Sequence, residues 1–442
     1  MKINRLCVRR LRIKGKSIKR VINKQLKKKA KCFQGPTGPT GSSGVTGPTG
    51  PVGDCQCCEE TFRIYRRCPD PNEFVVDPLS GNSPVITNLT GGGYVVAWTT
   101  TFESAPVIRY VVYNCNDTQV GNDMVLGIMA PVNNISVASI NEGTFIIVWD
   151  EAAQPNSKVF AAVYGDYGVP IVPRTEILPD ANNAHFNTDV TGSIDTRIII
   201  TFITSGAFNG VITQAFNIVG SSFVPILADN LLIADATYTS VRITVTRGNQ
   251  FALALHSTST QNLDTLLFDF LITTPTVSVD TGVAFPGAIT GIGSIAIIMD
   301  IGYVVAYFKG TNVMFSRYDT LGNLQQNASI GTVIDPTEFR LISASGLLCD
   351  RFAISWSDSV QESSNVVITI NVAIFDNEGN LLENIIAEQV TLTGLSNFET
   401  RKGIAGILDG GFILLWSSFG ATEFSGINIR KYVRSTVQLV TF

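Results

Sequence analysis

The stretch that decides the fold is Gly93-Tyr94-Val95-Val96-Ala97-Trp98, because a similar five-residue apolar run returns six more times along the chain. The run starts are spaced 51, 53, 53, 52, 49 and 60 residues apart. A period of about 50 residues is typical of a repeat architecture. The later copies cover residues 145–149, 198–202, 251–255, 303–307, 352–356 and 412–416.

Each repeat is predicted to contain four strands. The apolar run suits a strand that is buried on both faces. A smaller-residue strand precedes it, joined in most units by a turn rich in Asp, Asn and Gly, which accept the positive φ of tight hairpins. A polar loop then leads to a third strand that ends in an aromatic residue, and a poorer fourth strand leads to the next unit. The aromatic ends are Tyr113, Tyr164, Phe216, Phe268 or Phe270, Tyr318, Phe375 and Tyr432.

Seven such units predict an all-β fold, a seven-bladed β-propeller of four-stranded antiparallel blades over residues 73–442. A closed ring is favoured because an open stack would leave apolar faces bare at its ends. The last unit runs out soon after its third strand, so residues 74–76 are expected to complete the last blade. A solenoid or two β-sandwiches are the alternatives.

Charge is distributed unevenly along the chain. Residues 1–33 hold 14 Lys and Arg and no acidic residue, whereas the remainder holds 18 basic and 36 acidic residues. Residues 1–34 therefore form a basic N-terminal arm, and the spacing of its apolar residues over 17–33 predicts an amphipathic helix. Such an arm could dock on an acidic protein lattice, a membrane surface or nucleic acid, or remain a solvated tail.

Several targeting and partner classes are disfavoured by the sequence. Lys and Arg interrupt every apolar stretch of the arm, so no secretory signal is predicted. No apolar run reaches the length of about 18 residues that a membrane-spanning helix needs. The arm lacks interleaved aromatic residues, which disfavours nucleic acid. We therefore expect neither a membrane nor a nucleic-acid partner.

A collagen-like stalk is predicted over residues 35–53. Only Gly fits at the axis of three wound polyproline chains, and Gly recurs there at every third position, although a flexible Pro/Gly linker is the alternative. A homotrimer is the expected consequence, and the threonines at the exposed third positions could carry sugars. The periodic glycines are Gly35, Gly38, Gly41, Gly44, Gly47, Gly50 and Gly53.

The cysteines concentrate outside the repeats, mostly in a connector over residues 54–72. Cys57 and Cys58 are adjacent and cannot easily bond to each other, which favours cross-links to other chains. A zinc site is the alternative, but neither histidine lies near and the spacing matches no zinc motif. The predicted cross-linking cysteines are Cys7, Cys32, Cys55, Cys57, Cys58 and Cys68.

The GPT triplets after an N-terminal segment resemble the collagen-like glycoproteins of the outer spore layer, the exosporium, of Bacillus-type bacteria. That family is made in the mother-cell cytoplasm without a signal peptide, so the resemblance implies a spore-surface location. The family usually ends in a small trimeric jelly-roll and carries a Pro-rich leader, and both are missing here. The basic arm and Cys55-Gln56-Cys57-Cys58 look more like a piece that anchors a fibre or appendage. The implied partners are coat or exosporium proteins and a fibre subunit.

The sequence argues against an enzyme and indicates no cofactor. His185 and His256 are the only histidines, and neither a nucleophile elbow nor a phosphate-binding loop is present. Residues 376–380 (DNEGN) alternate oxygen ligands, so a calcium site is an alternative to a plain hairpin turn.

The remaining candidate is a binding face made by the loops that follow the seven apolar runs. Protein–protein docking there is the leading hypothesis, and a glycan-binding adhesin or a phage or viral fibre is the alternative. The candidate residues of this face are Glu103, Asp150, Glu151, His256, Lys309, Asp358 and Glu423.

Overall fold

The computed structural model describes residues 63–67, 73–77 and, with gaps between strands, 81–436. All regular structure in these residues is β-strand. The arm, the collagen-like stalk and the six cysteines predicted to cross-link lie outside the described residues, as do Glu103 and Glu423. Residues 53–442 form one compact unit.

The strands follow the predicted period of four per unit. The first two strands precede the repeats: β1 (Arg63–Arg67) and β2 (Glu73–Asp77). Blade A contains β3 (Asn82–Asn88), β4 (Tyr94–Phe102), β5 (Ala105–Tyr113) and β6 (Gln119–Gly127). Blade B contains β7 (Val132–Asn141), β8 (Thr144–Glu151), β9 (Lys158–Tyr164) and β10 (Pro170–Glu176).

The central blades vary in their outer strand. Blade C contains β11 (Asn183–Gly192), β12 (Ile198–Gly206), β13 (Gly210–Val219), β14 (Ser222–Pro225) and β15 (Leu231–Ile233). Blade D contains β16 (Tyr238–Val245), β17 (Gln250–Ser257), β18 (Asn262–Asp269) and β19 (Val279–Asp280). Blade E contains β20 (Ile289–Ile298), β21 (Gly302–Lys309), β22 (Asn312–Asp319) and β23 (Leu324–Thr332).

Blades F and G share one continuous sheet. Blade F contains β24 (Ile342–Leu347), β25 (Arg351–Glu362), β26 (Asn365–Phe375) and β27 (Leu381–Glu399). Blade G contains β28 (Ile404–Gly406), β29 (Phe412–Ala421) and β30 (Gly426–Thr436). The long β27 pairs with β26 and, past a register shift, with β29, which joins the two blades.

Every blade is antiparallel, so the prediction of a seven-bladed propeller with four-stranded antiparallel blades is confirmed. The first strand of each blade lies innermost and contacts the first strands of the neighbouring blades. The contact between β28 and β3 closes the ring. As predicted, the chain start completes blade G, because β2 pairs with β30. The upstream β1 also pairs with β30, so this blade begins inside the segment assigned to the connector.

The core is divided among the blade interfaces. Each of seven clusters of buried apolar side chains joins two neighbouring blades. The closing cluster packs Tyr94, Val96 and Trp98 of blade A against Ile413 and Ile427 of blade G. Because each apolar run has neighbours on both faces, it is apolar throughout rather than alternating.

The recurring aromatic residues pair across strands. In six blades the first residue of the apolar run stacks on the last aromatic residue of the third strand, with ring centroids 4.8 to 5.4 Å apart. Directly opposite residues are the closest neighbours on a sheet face, which explains why both positions keep large side chains. In blade D the partner of Phe251 is Phe268 rather than Phe270. Blade C opposes Ile198 to Phe216.

Candidate functional site

The connections of the propeller lie on two faces. We call the loop face the one that carries the connections from second to third strand and from one blade to the next. The opposite face carries the tight turns and is called the turn face. Among the described residues, Phe102 at the end of β4 and the connection residues Met129 and Ile334 are large apolar side chains exposed at the loop face. The predicted binding face corresponds to the loop face, but several of its candidate residues lie within strands and not in loops.

Asp150 and Glu151 are not loop residues. The sequence analysis placed both at the start of a loop, whereas β8 continues through them and both are buried. The Asp150 carboxylate accepts a hydrogen bond from the backbone N–H of Asn187 at 2.6 Å. That bond joins β11, the first strand of blade C, to blade B, so Asp150 contributes to contacts inside the ring.

Glu151 is the centre of a buried polar cluster in blade B. Its carboxylate accepts hydrogen bonds from Trp149 Nε1 at 2.8 Å and from Met129 N at 3.2 Å. Both carboxylate oxygens lie 3.0 Å from Nη2 of Arg174. The Arg174 guanidinium also covers the ring of Phe160, 3.9 Å from its centroid. With its side chain 1% exposed, Glu151 cannot meet a partner without movement of the blade.

His256, Lys309 and Asp358 occupy three different environments. The sequence analysis set His256 at the start of a loop, but it lies within β17 and is buried. Lys309 is half-buried at the end of β21, before a two-residue hairpin. Asp358 is half-buried and accepts a hydrogen bond from the backbone N–H of Ile334 at 2.8 Å. The described candidates therefore do not form one cup.

The residues that do converge belong to the inner strands, and the sequence analysis missed them. Asp189 of β11 accepts a hydrogen bond from Ser136 Oγ of blade B at 2.6 Å. Its other oxygen accepts one from the backbone N–H of Ile243 in blade D at 3.0 Å. One buried carboxylate thus joins three blades.

Arg242 makes a similar connection further around the ring. Its Nε donates to the carbonyl of Gly293 in blade E at 3.2 Å. Its Nη1 donates to Asn187 Oδ1 in blade C at 3.1 Å. Burial lowers the pKa of Arg242, and the negative charge of Asp189 opposes this effect. A charged residue within an otherwise uncharged first strand was the only sequence signal for this contact.

Blades B and C also enclose a buried histidine. His185 is 2% exposed and contacts the ring of Phe202 edge-on at 4.9 Å. Among the described residues, neither ring nitrogen has a hydrogen-bond partner, and the hydroxyl of the opposite residue, Thr204, has none either. Burial lowers the pKa of His185, although Asp180 and Glu176 act in the opposite direction.

A groove opens on the loop face between blades A and B. Its volume is about 330 Å³. Its wall combines three successive threonines with two prolines and aliphatic side chains, a surface without a charged group. The lining residues are Gly81, Asn82, Thr99, Thr100, Thr101, Pro106, Val107, Ile128, Pro131 and Val132.

The DNEGN segment forms a hairpin turn. Asp376 Oδ1 accepts hydrogen bonds from the backbone N–H groups of Glu378 and Asn380, both at 2.9 Å. Burial alone would raise the pKa of Asp376, but these bonds hold it below its usual value. Asp319 and Asn114 cap the corresponding turns of blades E and A. Among the described residues, no group of three metal-ligating side chains occurs.

Within the part of the chain that the structure describes, no helix is long and apolar enough to span a membrane.

Comparison with known proteins supports the fold class only. No family model and no curated protein matches the chain. Among solved structures, the Dos1 propeller is 11% identical with a TM-score of 0.46, and the match covers 82% of this chain and 94% of that one. The six-bladed fucose-binding lectin of the fungus Aleuria aurantia is 12% identical with a TM-score of 0.42, covering 69% of this chain and 95% of that one.

A third similar structure belongs to an enzyme. An ulvan lyase is 13% identical with a TM-score of 0.44, and the match covers 85% of this chain and 96% of that one. A fold by itself does not specify a function, so the function must be argued from the residues of this chain.

Proposed function

We propose that this protein is a non-enzymatic structural protein of the bacterial spore surface, which attaches a fibre or appendage to the exosporium or coat. The observation that carries the proposal is the way in which the chain enters the ring. β1 lies between Cys58 and Cys68 and pairs with the end of β30, from Arg63 opposite Thr436 to Arg67 opposite Tyr432. The predicted cross-linking segment therefore continues directly into the closing blade.

The strand that receives this segment is fixed to both neighbouring blades. Arg430 donates to the carbonyl of Ala387 in blade F at 3.0 Å and pairs with Glu388. On the other side, Lys431 lies 3.1 Å from the Asp117 carboxylate of blade A. Tyr432 donates its hydroxyl hydrogen to the Ala387 carbonyl at 2.7 Å. A force applied to the chain N-terminal to β1 would thus be shared by blades F, G and A.

The face from which the chain enters the ring decides which face stays accessible to a partner. β2 ends opposite Ile427 at the loop face, so the chain arrives from the turn face. An anchor at the turn face leaves the loop face accessible to a second partner, such as a fibre subunit. Attachment through protein–protein contacts and cysteine cross-links requires no catalytic group.

Retention of the protein on spores tests this proposal. Cys55, Cys57 and Cys58 would be changed together to Ser in a spore-forming host, and protein extracted with and without reductant would be compared. We expect the native chain to need reductant for release and the triple variant to be released without it. Changing the ring thiols Cys115 and Cys349 to Ser is the matched control and should alter nothing. Release of the native chain by detergent alone would contradict the proposal.

A glycan-binding adhesin is the second candidate, and the groove between blades A and B favours it. Threonine hydroxyls beside proline and aliphatic side chains offer the mixed polar and apolar surface that a sugar ring needs. Binding of the protein to a glycan array, lost when Thr100 is changed to Trp to fill the groove, would support this function over the first.

A further inference from the structure

Among the described residues of the innermost strands, Arg242 is the single Lys or Arg, and it lies half-buried between two irregular strands. The register of β11 breaks between Phe186 and Asp189, and Asn187 within the break has a φ of 54°. The register of β20 breaks between Ile292 and Ser294, at Gly293. Bulges such as these redirect side chains and free backbone groups from the ladder, and they are frequent next to binding sites.

These two bulges hold the guanidinium of Arg242 in a fixed position. Nε and Nη1 are bonded to Gly293 O and Asn187 Oδ1, and Nη1 also donates to the carbonyl of Val241 at 2.7 Å. β17 pairs with the outer edge of β16. The Arg242 side chain contacts both β11 and β20, the inner strands of the two neighbouring blades, so it passes across the inner edge of β16, which faces the axis. No described residue accepts a hydrogen bond from Nη2.

The charge of Arg242 has no ion-pair partner among the described residues. Asp189 is the neighbouring carboxylate, but its oxygens already accept hydrogen bonds from Ser136 Oγ and the Ile243 amide. Removing a cation from water is costly unless a counter-charge or ligand compensates for it. A guanidinium held in place by three hydrogen bonds, with the N–H donors of Nη2 unused, can donate charge-assisted hydrogen bonds to a carboxylate.

We propose that Arg242 binds a single carboxylate group at the axis of the ring. A monoanion fits because Arg242 is the single cation among the described residues of the innermost strands, and because Asp150 and Asp189 lie around Asn187 and would repel a phosphate dianion. The net charge of −18 outside the first 33 residues disfavours polyanions further. The site belongs to the ring alone, so it does not depend on the attachment of the protein to spores.

Chemical protection of the native full-length chain tests the site without a substitution. Phenylglyoxal modifies accessible guanidinium groups, and peptide mass spectrometry gives the rate at Arg242. We expect sodium acetate to slow this rate more than sodium chloride at equal ionic strength. Equal rates in the two salts would overturn the proposal.

Two variants that each remove one positive charge then test whether Arg242 recognises a carboxylate that belongs to a peptide. Fluorescence anisotropy with a labelled, C-terminally amidated peptide that carries a single glutamate should show an affinity about tenfold or more weaker for Arg242→Gln. Arg109→Gln is the control, since Arg109 already pairs with Asp123 at 2.8 Å, and it should bind like the native chain. Equal binding by the two variants would refute the site as the point of peptide capture.

Arg242→Lys covers the case in which Arg242→Gln does not fold, because it keeps the charge but not the guanidinium that is bonded to both neighbouring inner strands. It should bind more weakly than the native chain, and unchanged binding would count against recognition by the Nη2 group of Arg242. Protection by acetate without peptide binding would assign the site to a free carboxylic acid. Binding of both would assign it to a single carboxylate side chain of a docking protein.

Discussion

At the scale of single residues, buried charges in this ring stabilise the blades. Glu151→Gln preserves the shape but removes the charge opposite Arg174, so we expect a loss of about 3 kcal/mol in the free energy of unfolding. Urea denaturation followed by tryptophan fluorescence measures this loss. Glu176→Gln removes a comparable but more exposed pair with Lys158, 3.0 Å away, and should cost below about 1 kcal/mol. Equal losses in both variants would refute the structural role of Glu151.

His185 predicts a dependence of stability on pH. Its pKa is lowered in the folded ring, so the unfolded chain binds a proton more readily. Stability should therefore be complete above the unfolded pKa of about 6.5 and should fall as pH decreases, by up to about 1.4 kcal/mol per unit. His185→Phe should remove this slope between about pH 5.5 and 7. Parallel profiles of the two proteins in thermal denaturation would contradict this explanation.

At the scale of elements, one turn design recurs in three blades with either Asp or Asn as its cap. The side-chain amide oxygen of Asn114 accepts hydrogen bonds from backbone N–H groups of its turn, as the carboxylates of Asp319 and Asp376 do in theirs. Asp376→Asn should therefore be nearly neutral, whereas Asp376→Ala should lower the free energy of unfolding by about 1 kcal/mol. Melting temperatures with and without calcium complete the test. Stabilisation by calcium that is lost in Asp376→Asn would restore the metal-site alternative.

At the scale of the whole molecule, ring closure depends on contacts between the last and first blades. Lys431 and Asp117 form such a contact, and their side chains are 9% and 15% exposed. Lys431→Met leaves Asp117 without its partner, so we expect a loss of about 3 kcal/mol and earlier proteolysis near blades A and G. The double variant with Asp117→Asn should recover part of the loss. Additive losses would indicate that the pair is not coupled.

The chain start provides a second test of closure. A chain that begins at residue 60 keeps β1 and β2, whereas a chain that begins at residue 79 loses both and exposes the edge of β30. We expect the shorter chain to unfold at lower temperature and to aggregate, because an unpaired edge strand invites pairing with other chains. Equal melting temperatures would show that the closing strand is dispensable.

The sequence alone determined the number of blades, the strand order and the place of the closing strand. These features could be predicted because each blade buries a similar apolar run between two similar neighbouring blades. It also located the aromatic residue that ends each third strand, although Phe268 rather than Phe270 was resolved only by the register. Local pattern was sufficient here because period and burial are properties of the single repeat.

The tertiary structure decided which polar residues meet. Asp150, Glu151 and His256 follow apolar runs and resemble loop residues in sequence, yet their strands extend further because partners across the sheet bury them. Arg242, Asn187 and Asp189 lie up to 55 residues apart and are brought together only when the inner strands surround one axis. Contacts between blades depend on ring geometry and bulges, which no single repeat encodes.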